Sequence, residues 1–274
     1  MYKLIAIDID GTMISMEKPY ITDRVKKAIY KAKEMGVHVI LISGRNYNSM
    51  TRFLDELEIK DYGITINGCV VMNIATGEKI FETYLDQEVA KGLTEIFIRE
   101  RVPYTVFADL YTYAPKEFES NSTIQYLMLE KDNVRLYEDT EQFLANIRTN
   151  KYMIMADEKK SKSIVEEVKK KYPGVYVECG AKGHIEIYPI GTNKGLALTK
   201  LASQLKINMR NVMAIGDGEN DISMLKVAGL GIAMGNAVTN VKSHANYVTK
   251  TVDEDGVAYA IEKFILNNVE ENVG

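Results

Sequence analysis

Two aspartates end the first apolar segment of the chain, in the sequence IAIDIDGT of residues 5–12. Asp8 and Asp10 are two positions apart, so their side chains share a face if the segment is a regular strand. Carboxylates this close repel, and each raises the pKa of the other unless a cation neutralises them. We therefore expect this pair to carry chemistry that involves a bound positive charge.

Polar residues also follow two later apolar segments. VHVILI (37–42) and NVMAIG (211–216) each read as a buried strand, with polar side chains directly after them. Ligands of open parallel sheets bind beyond the carboxyl ends of the strands, so these side chains are predicted to share a site with the aspartate pair. The set is Ser43 and Gly44, then Asp217, Asn220 and Asp221, with Lys194 just before a helical sequence.

These residue types suit phosphoryl transfer. Asp217, arriving from another strand, completes with the aspartate pair an oxygen-rich pocket of the kind that Mg²⁺ prefers, and no nearby His or Cys favours zinc or copper. Ser43 and Gly44 open a loop that leads to a helix, where hydroxyl and backbone N–H groups bind an anion. Lys194 adds a positive charge for a phosphoryl oxygen.

Composition excludes several other classes of function. The 274 residues allow one large or two modest domains, and the net charge of -4 argues against a protein that binds nucleic-acid phosphates. Asp8 interrupts the first apolar run, so no secretory signal is expected, and no apolar stretch approaches membrane-spanning length. The two cysteines are too few and too far apart for a disulfide framework or zinc site. We expect a cytoplasmic protein without nucleic-acid or membrane partners.

The elements that position these residues form two patterns. Strand and helix alternate in the first third, where Thr22 is a predicted N-cap and Gly36 a helix stop. This alternation, which resumes near the end of the chain, predicts a doubly wound parallel sheet. Between them lie a hairpin over 103–115, a predicted strand over 123–129 and further short strands, typical of an antiparallel α+β domain. The predicted core is residues 1–84 with 186–274, and the predicted inserted domain is residues 85–185.

Four segments in order, DIDGT, SGR, NKG and GDGEND, resemble the four motifs of the haloacid dehalogenase-like superfamily. The chain is similar over nearly its whole length to the Cof-type phosphatases of that superfamily. The resemblance implies a Rossmann-like core, a large α/β cap inserted between the second and third motifs, and a hydrolase that forms an aspartyl-phosphate.

The resemblance also implies roles for single residues. Asp8 is expected to be the nucleophile and Asp10 the general acid and base. Mg²⁺ is expected on Asp8, the Asp10 backbone carbonyl and Asp217, with Asp221 in support. The phosphoryl group is expected to contact the Ile9 backbone N–H, Ser43, Gly44, Lys194 and Asn220, and the glycine-flanked Asn67 and Asn236 are candidates to border the substrate.

The predicted function is therefore Mg²⁺-dependent hydrolysis of small phosphorylated metabolites, with sugar phosphates first among them. A phosphomutase that passes the same phosphoryl group to a second hydroxyl of the substrate stays open at this point. A regulator that binds phosphometabolites without catalysis is the third hypothesis. Such a regulator is expected to lack the nucleophile or the general acid, and this chain has both. The oligomeric state is left open.

Overall fold

The computed structural model describes residues 2–129, 134–179 and 183–267. The chain divides into two compact units. The first comprises Met1–Gly44, Phe53–Phe81 and Asn193–Gly274, and the second comprises Arg45–Arg52 and Glu82–Thr192. The short segment after the second strand thus groups with the second unit. No helix in the described ranges is both long enough and apolar enough to cross a membrane.

An eight-stranded sheet organises the first unit, in the order β14-β13-β12-β1-β2-β3-β4-β5. Pairing is parallel from β14 to β3 and antiparallel between β3 and β4. The central strands are continuous runs of buried apolar residues, as expected for a parallel sheet covered on both faces. The strands are β1 (Leu4–Ile7), β2 (His38–Ile42), β3 (Tyr62–Thr65), β4 (Val70–Asn73), β5 (Lys79–Glu82), β12 (Val212–Gly216), β13 (Leu230–Ala233) and β14 (Tyr247–Val248).

The helices that alternate with these strands begin and end at recognisable signals. The predicted N-cap of α1 is confirmed, because the Thr22 hydroxyl accepts a hydrogen bond from the Val25 backbone N–H. The chain leaves the same helix through Gly36, whose φ of +77° suits glycine. These helices are α1 (Asp23–Glu34), α2 (Tyr47–Glu56), α7 (Lys194–Gln204), α8 (Ile222–Val227), α9 (Thr239–Lys242) and α10 (Gly256–Ile261).

The second unit has its own six-stranded sheet, in the order β10-β11-β9-β6-β7-β8. Its pairs are antiparallel except for β7 with β8, and its core packs around Phe97, Tyr104 and Tyr152. The predicted α+β character is confirmed. Its strands are β6 (Tyr104–Ala108), β7 (Tyr111–Pro115), β8 (Arg135–Tyr137), β9 (Lys151–Met155), β10 (Val175–Cys179) and β11 (His184–Pro189), and its helices are α3 (Gln87–Glu100), α4 (Ser122–Leu129), α5 (Thr140–Asn146) and α6 (Glu158–Lys171).

The strand predicted over 123–129 is wrong, since this segment lies in α4. Its apolar residues lack a clear period, so helix and strand could not be separated by pattern. The deciding signal is Asn121, whose side-chain oxygen accepts hydrogen bonds from the backbone N–H groups of Thr123 and Ile124. An asparagine at this position starts a helix.

Close packing between α7 and α8 fixes the start of α7. The backbone N–H of Gly195 donates to the Ser223 hydroxyl at 3.0 Å. A Cβ atom at Gly195 would lie 2.3 Å from the backbone oxygen of Ser223, so no larger residue fits there without movement. This contact determines where Lys194, the first residue of α7, is placed.

Gly195→Ala is therefore expected to destabilise the protein, although alanine is the better helix former by about 1 kcal/mol. The added methyl group meets backbone rather than a flexible side chain, and overpacking of this kind costs about 1–3 kcal/mol. Thermal denaturation should show a melting temperature several degrees lower. Ser203→Ala, at an exposed position of the same helix, is the control and should change little. An unchanged melting temperature for Gly195→Ala would contradict the close approach.

Candidate active site

Three carboxylates meet at the carboxyl end of the parallel sheet. Asp8 follows β1 and Asp217 follows β12, and these strands pair in parallel with Ile7 beside Ile215. Asp221 lies in a short 3-10 turn after β12. Each of the three aspartates offers a carboxylate oxygen within 4.8 Å of the others. The parallel register thus brings together residues more than two hundred positions apart in the sequence.

The ammonium group of Lys194 lies between two of these carboxylates. Its Nζ atom is 2.7 Å from Asp8 Oδ1 and 2.6 Å from Asp221 Oδ1. Lys194 and Asp221 are fully buried and Asp8 is 5% exposed. Burial alone lowers the pKa of Lys194, but the charges of Asp221 and Asp8 outweigh it and hold that pKa above its ordinary value. Lys194 is therefore a permanent cation inside the cluster.

One ammonium does not balance three carboxylates. Burial, followed by the charge of Asp221, raises the pKa of Asp8 well above its ordinary value, and Lys194 only partly opposes this. Burial and the charge of Asp221 raise the pKa of Asp217 to about 6, against the hydrogen bond from Thr12. An all-oxygen group of acidic ligands with excess negative charge fits a hard divalent cation.

The loop after β12 is held by Asp221. Its Oδ2 atom accepts hydrogen bonds from the backbone N–H groups of Asp217 and Gly218, both at 2.9 Å. A Cβ atom at Gly216 would lie 2.5 Å from the Asp221 carboxyl group, so glycine is needed beside it. Asp221 thus supports Asp217 through the backbone, in addition to its contact with Lys194.

The turn after β1 wraps around one carbonyl group. The backbone N–H groups of Thr12, Met13 and Ile14 point to the Ile9 carbonyl oxygen at 3.3, 2.9 and 3.1 Å. Gly11 has φ +79°, and a Cβ atom there would lie 2.2 Å from Asp217 Oδ2. Only glycine allows the loop to approach Asp217 this closely.

The same turn separates the two aspartates of the opening motif. β1 ends at Ile7, and the Asp8 side chain is buried whereas that of Asp10 is exposed. The Asp10 side chain is not part of the group formed by the other three aspartates. Thr12, for which no role was predicted, donates its hydroxyl to Asp217 Oδ1 at 2.8 Å. The signal for Thr12 was its place directly after the Asp-Gly turn.

Three of the residues predicted to hold the phosphoryl group, Ser43, Gly44 and Asn220, lie beside a second turn at Asn67. Ser43 is buried, and its backbone N–H donates to Ile64 at the end of β3. Its carbonyl accepts from the Asn67 N–H at 3.0 Å. The Asn67 side-chain oxygen accepts from Asn220 Nδ2 at 3.2 Å, and a Cβ atom at Gly44 would lie 2.8 Å from that oxygen.

Asn236, the other candidate to border the substrate, joins two backbone segments. Its Nδ2 atom donates to the Gly11 carbonyl at 2.8 Å, and its Oδ1 atom accepts from the Val252 N–H at 2.9 Å. Asn236 itself is exposed. Its amide thus ties the turn after β1 to the segment that precedes α10.

Comparison of the sequence with known proteins finds a matching family. The family model described as haloacid dehalogenase-like hydrolase matches residues 5–261. The 5-amino-6-(5-phospho-D-ribitylamino)uracil phosphatase YwtE of Bacillus subtilis is 32% identical over 286 residues, which cover 96% of this chain and 98% of that protein.

Solved structures show the same likeness. A haloacid dehalogenase-like hydrolase from Bacteroides thetaiotaomicron matches with a TM-score of 0.87 and 31% identity, over 97% of this chain and all of that one. A sugar phosphatase of subclass IIB of the same superfamily matches with a TM-score of 0.83 and 25% identity, over 96% of this chain and 98% of that one. With its ordered motifs and this extent of similarity, the chain belongs to the haloacid dehalogenase-like hydrolase family.

Proposed function

We propose that the chain is a Mg²⁺-dependent phosphatase that hydrolyses small phosphorylated metabolites, sugar phosphates first among them, through an aspartyl-phosphate on Asp8. The observation that carries the proposal is the meeting of three aspartates at the carboxyl end of the sheet. Lys194 bridges the buried Asp8 and Asp221, and the half-buried Asp217 lies beside them. The names of two similar proteins, a phosphatase of a phosphoribitylamino compound and a sugar phosphatase, support a phosphorylated polyol or sugar as the substrate class.

Asp8 is proposed to act as the nucleophile. Lys194 holds one of its carboxylate oxygens, and β1 together with β12 fixes the backbone behind it. In the first step a carboxylate oxygen of Asp8 attacks phosphorus, and the bond from phosphorus to the leaving alcohol breaks. Water then attacks phosphorus, the bond to Asp8 breaks, and phosphate is released.

Asp10 is proposed to move the protons of both steps. It lies two residues beyond the nucleophile and, unlike Asp8, its side chain is exposed. In the first step Asp10 gives its proton to the leaving alcohol, and in the second its carboxylate takes a proton from the attacking water. The exposed Asp10 therefore donates a proton in the first step and accepts one in the second, while the buried Asp8 carries the phosphoryl group.

The cation proposed for the acidic cluster is Mg²⁺. Asp8, Asp217 and the backbone carbonyl of Asp10 would hold it, with Asp221 orienting the loop that carries Asp217. Bound there, it supplies positive charge to the phosphoryl oxygens. Ser43, Gly44 and Asn220, with the Ile9 backbone N–H and Lys194, are proposed to bind the remaining phosphoryl oxygens.

Asp8→Asn and Asp10→Asn are each expected to lower kcat by at least about a hundredfold, because an amide can neither accept a phosphoryl group nor exchange a proton at this step. The measurement is phosphate release from a panel of sugar phosphates with and without Mg²⁺, with product isomers analysed in parallel. Asp55→Asn, an exposed position on α2, is the matched control and should retain full activity. Normal hydrolysis by Asp8→Asn would remove the nucleophile assignment, and isomerised product without free phosphate would indicate a mutase.

The acidic cluster also predicts a pH dependence of stability in protein treated with a chelator. The folded protein retains a proton on Asp217 up to a pKa of about 6, whereas an unfolded chain releases it near pH 4. The folded state therefore binds more protons between these values, and the free energy of unfolding falls as the pH rises through this window. Asp8, whose pKa is also raised, contributes with the same sign.

Asp217→Asn should weaken that pH dependence and, above pH 6, make the chelator-treated protein more stable by on the order of 1–3 kcal/mol. The same substitution should reduce the rise in melting temperature that Mg²⁺ causes in the wild-type protein, because it removes a proposed ligand. Thermal melts at several pH values, with chelator or with Mg²⁺, measure both effects. An equal response to Mg²⁺ in the two proteins would exclude Asp217 as a ligand.

A further inference from the structure

The turn between β3 and β4 has an unusual backbone. Ile66, Asn67 and Gly68 follow one another with φ values of 51°, 54° and 95°. All three residues are buried. A left-handed conformation is rare for a β-branched residue such as isoleucine, and it costs on the order of 1–3 kcal/mol. A turn of this kind persists only where its surroundings hold it.

The contacts that hold this turn reach three segments predicted to bind phosphate. The Asn67 backbone N–H donates to the Ser43 carbonyl, and the Asn67 side chain lies against Gly44. Its oxygen accepts from the side-chain amide of Asn220. At Gly68, a Cβ atom would lie 2.5 Å from the backbone oxygen of Asn193, the residue before Lys194.

These segments come from separate parts of the chain. Ser43 and Gly44 follow β2, Asn193 caps the start of α7, and Asn220 lies in the loop after β12. The turn at Asn67 is adjacent to all three, so its conformation determines the distances between them. A phosphoryl group held by several donors requires those distances to be correct, because a displacement of about 1 Å can cost a hundredfold in rate.

We infer that Asn67 is a positioning residue for the phosphoryl group. This inference rests on the proposed function. In it, Asn67 orients Asn220 through the side-chain hydrogen bond and Ser43 through the backbone hydrogen bond. An ordinary Asn-Gly turn offers the competing explanation, since asparagine tolerates left-handed backbone and glycine often follows it. The two explanations differ in what the side-chain amide contributes.

Asn67→Gly separates these explanations, because glycine adopts left-handed φ without steric cost and keeps the turn while losing the amide. The affinity for inorganic phosphate, measured by calorimetry with Mg²⁺ present, is expected to fall about tenfold or more, since the amide hydrogen bond that orients a donor to a charged group is lost. KM for a sugar phosphate should rise. The matched control is Lys206→Gly, an exposed left-handed position after α7, which should leave phosphate affinity unchanged.

A double-mutant cycle tests whether Asn67 acts through Asn220. Asn67→Gly and Asn220→Ala should together weaken phosphate binding by clearly less than the product of their separate effects. If the effects multiply, or if Asn67→Gly binds phosphate as the wild type does, the positioning role is overturned. Absence of hydrolysis by the wild type would contradict the proposed function but not the inference about Asn67. The phosphate affinities would still test the role of Asn67.

Melting temperatures accompany each variant. Should glycine loosen the turn and lower the melting temperature, Asn67→Asp is the second variant, because aspartate also accepts left-handed backbone and retains the oxygen that faces Asn220. Its negative charge would lie beside the bound anion, so phosphate affinity is again expected to fall about tenfold. Wild-type affinity in this variant would show that residue 67 is remote from the anion and would overturn the inference.

Discussion

The ion pair that Lys194 forms with Asp8 and Asp221 is the constraint on which the rest of the first unit depends. All three side chains are buried, and removing Lys194 would leave two carboxylates without their cation in a poorly solvated place. An uncompensated buried charge costs several kcal/mol, so the fold must bring the three residues together. It does so with two adjacent parallel strands, β1 and β12, and with the first residue of α7.

The same constraint explains where glycine is required. Gly11 and Gly216 lie so close to the carboxylates of Asp217 and Asp221 that a Cβ atom at either position would overlap them, and Gly195 sets α7 against α8. Each allows backbone to approach where a side chain would block it. The backbone around the acidic cluster is therefore as specific to the site as the charged side chains are.

The sequence predicted the parallel core and the gathering of polar residues well, because both follow from strong local signals. Buried strands appear as apolar runs, and Asp8, Asp217 and Ser43 each stand directly after one. Contacts that depend on loop geometry could not be predicted from the sequence. Neither the bridge from Lys194 to two aspartates, nor the approach of Asn67 to Asn220, nor the exposure of Asp10 beside buried Asp8 follows from spacing. The helix over Ser122–Leu129 was missed because its cap, Asn121, was a weaker signal than the apolar run.

Charge balance connects the acidic cluster to the proposed chemistry. Three aspartates and one lysine leave two negative charges, which a divalent cation neutralises. Two of the contacts of the Lys194 ammonium go to carboxylates, so lysine alone cannot offset the added charge of a phosphoryl group. The other residues proposed to contact that group, Ser43, Gly44 and Asn220, are neutral and contribute by orientation. In the proposed enzyme, binding a phosphorylated substrate beside these carboxylates therefore requires the metal charge, and the neutral donors determine how precisely phosphorus meets Asp8.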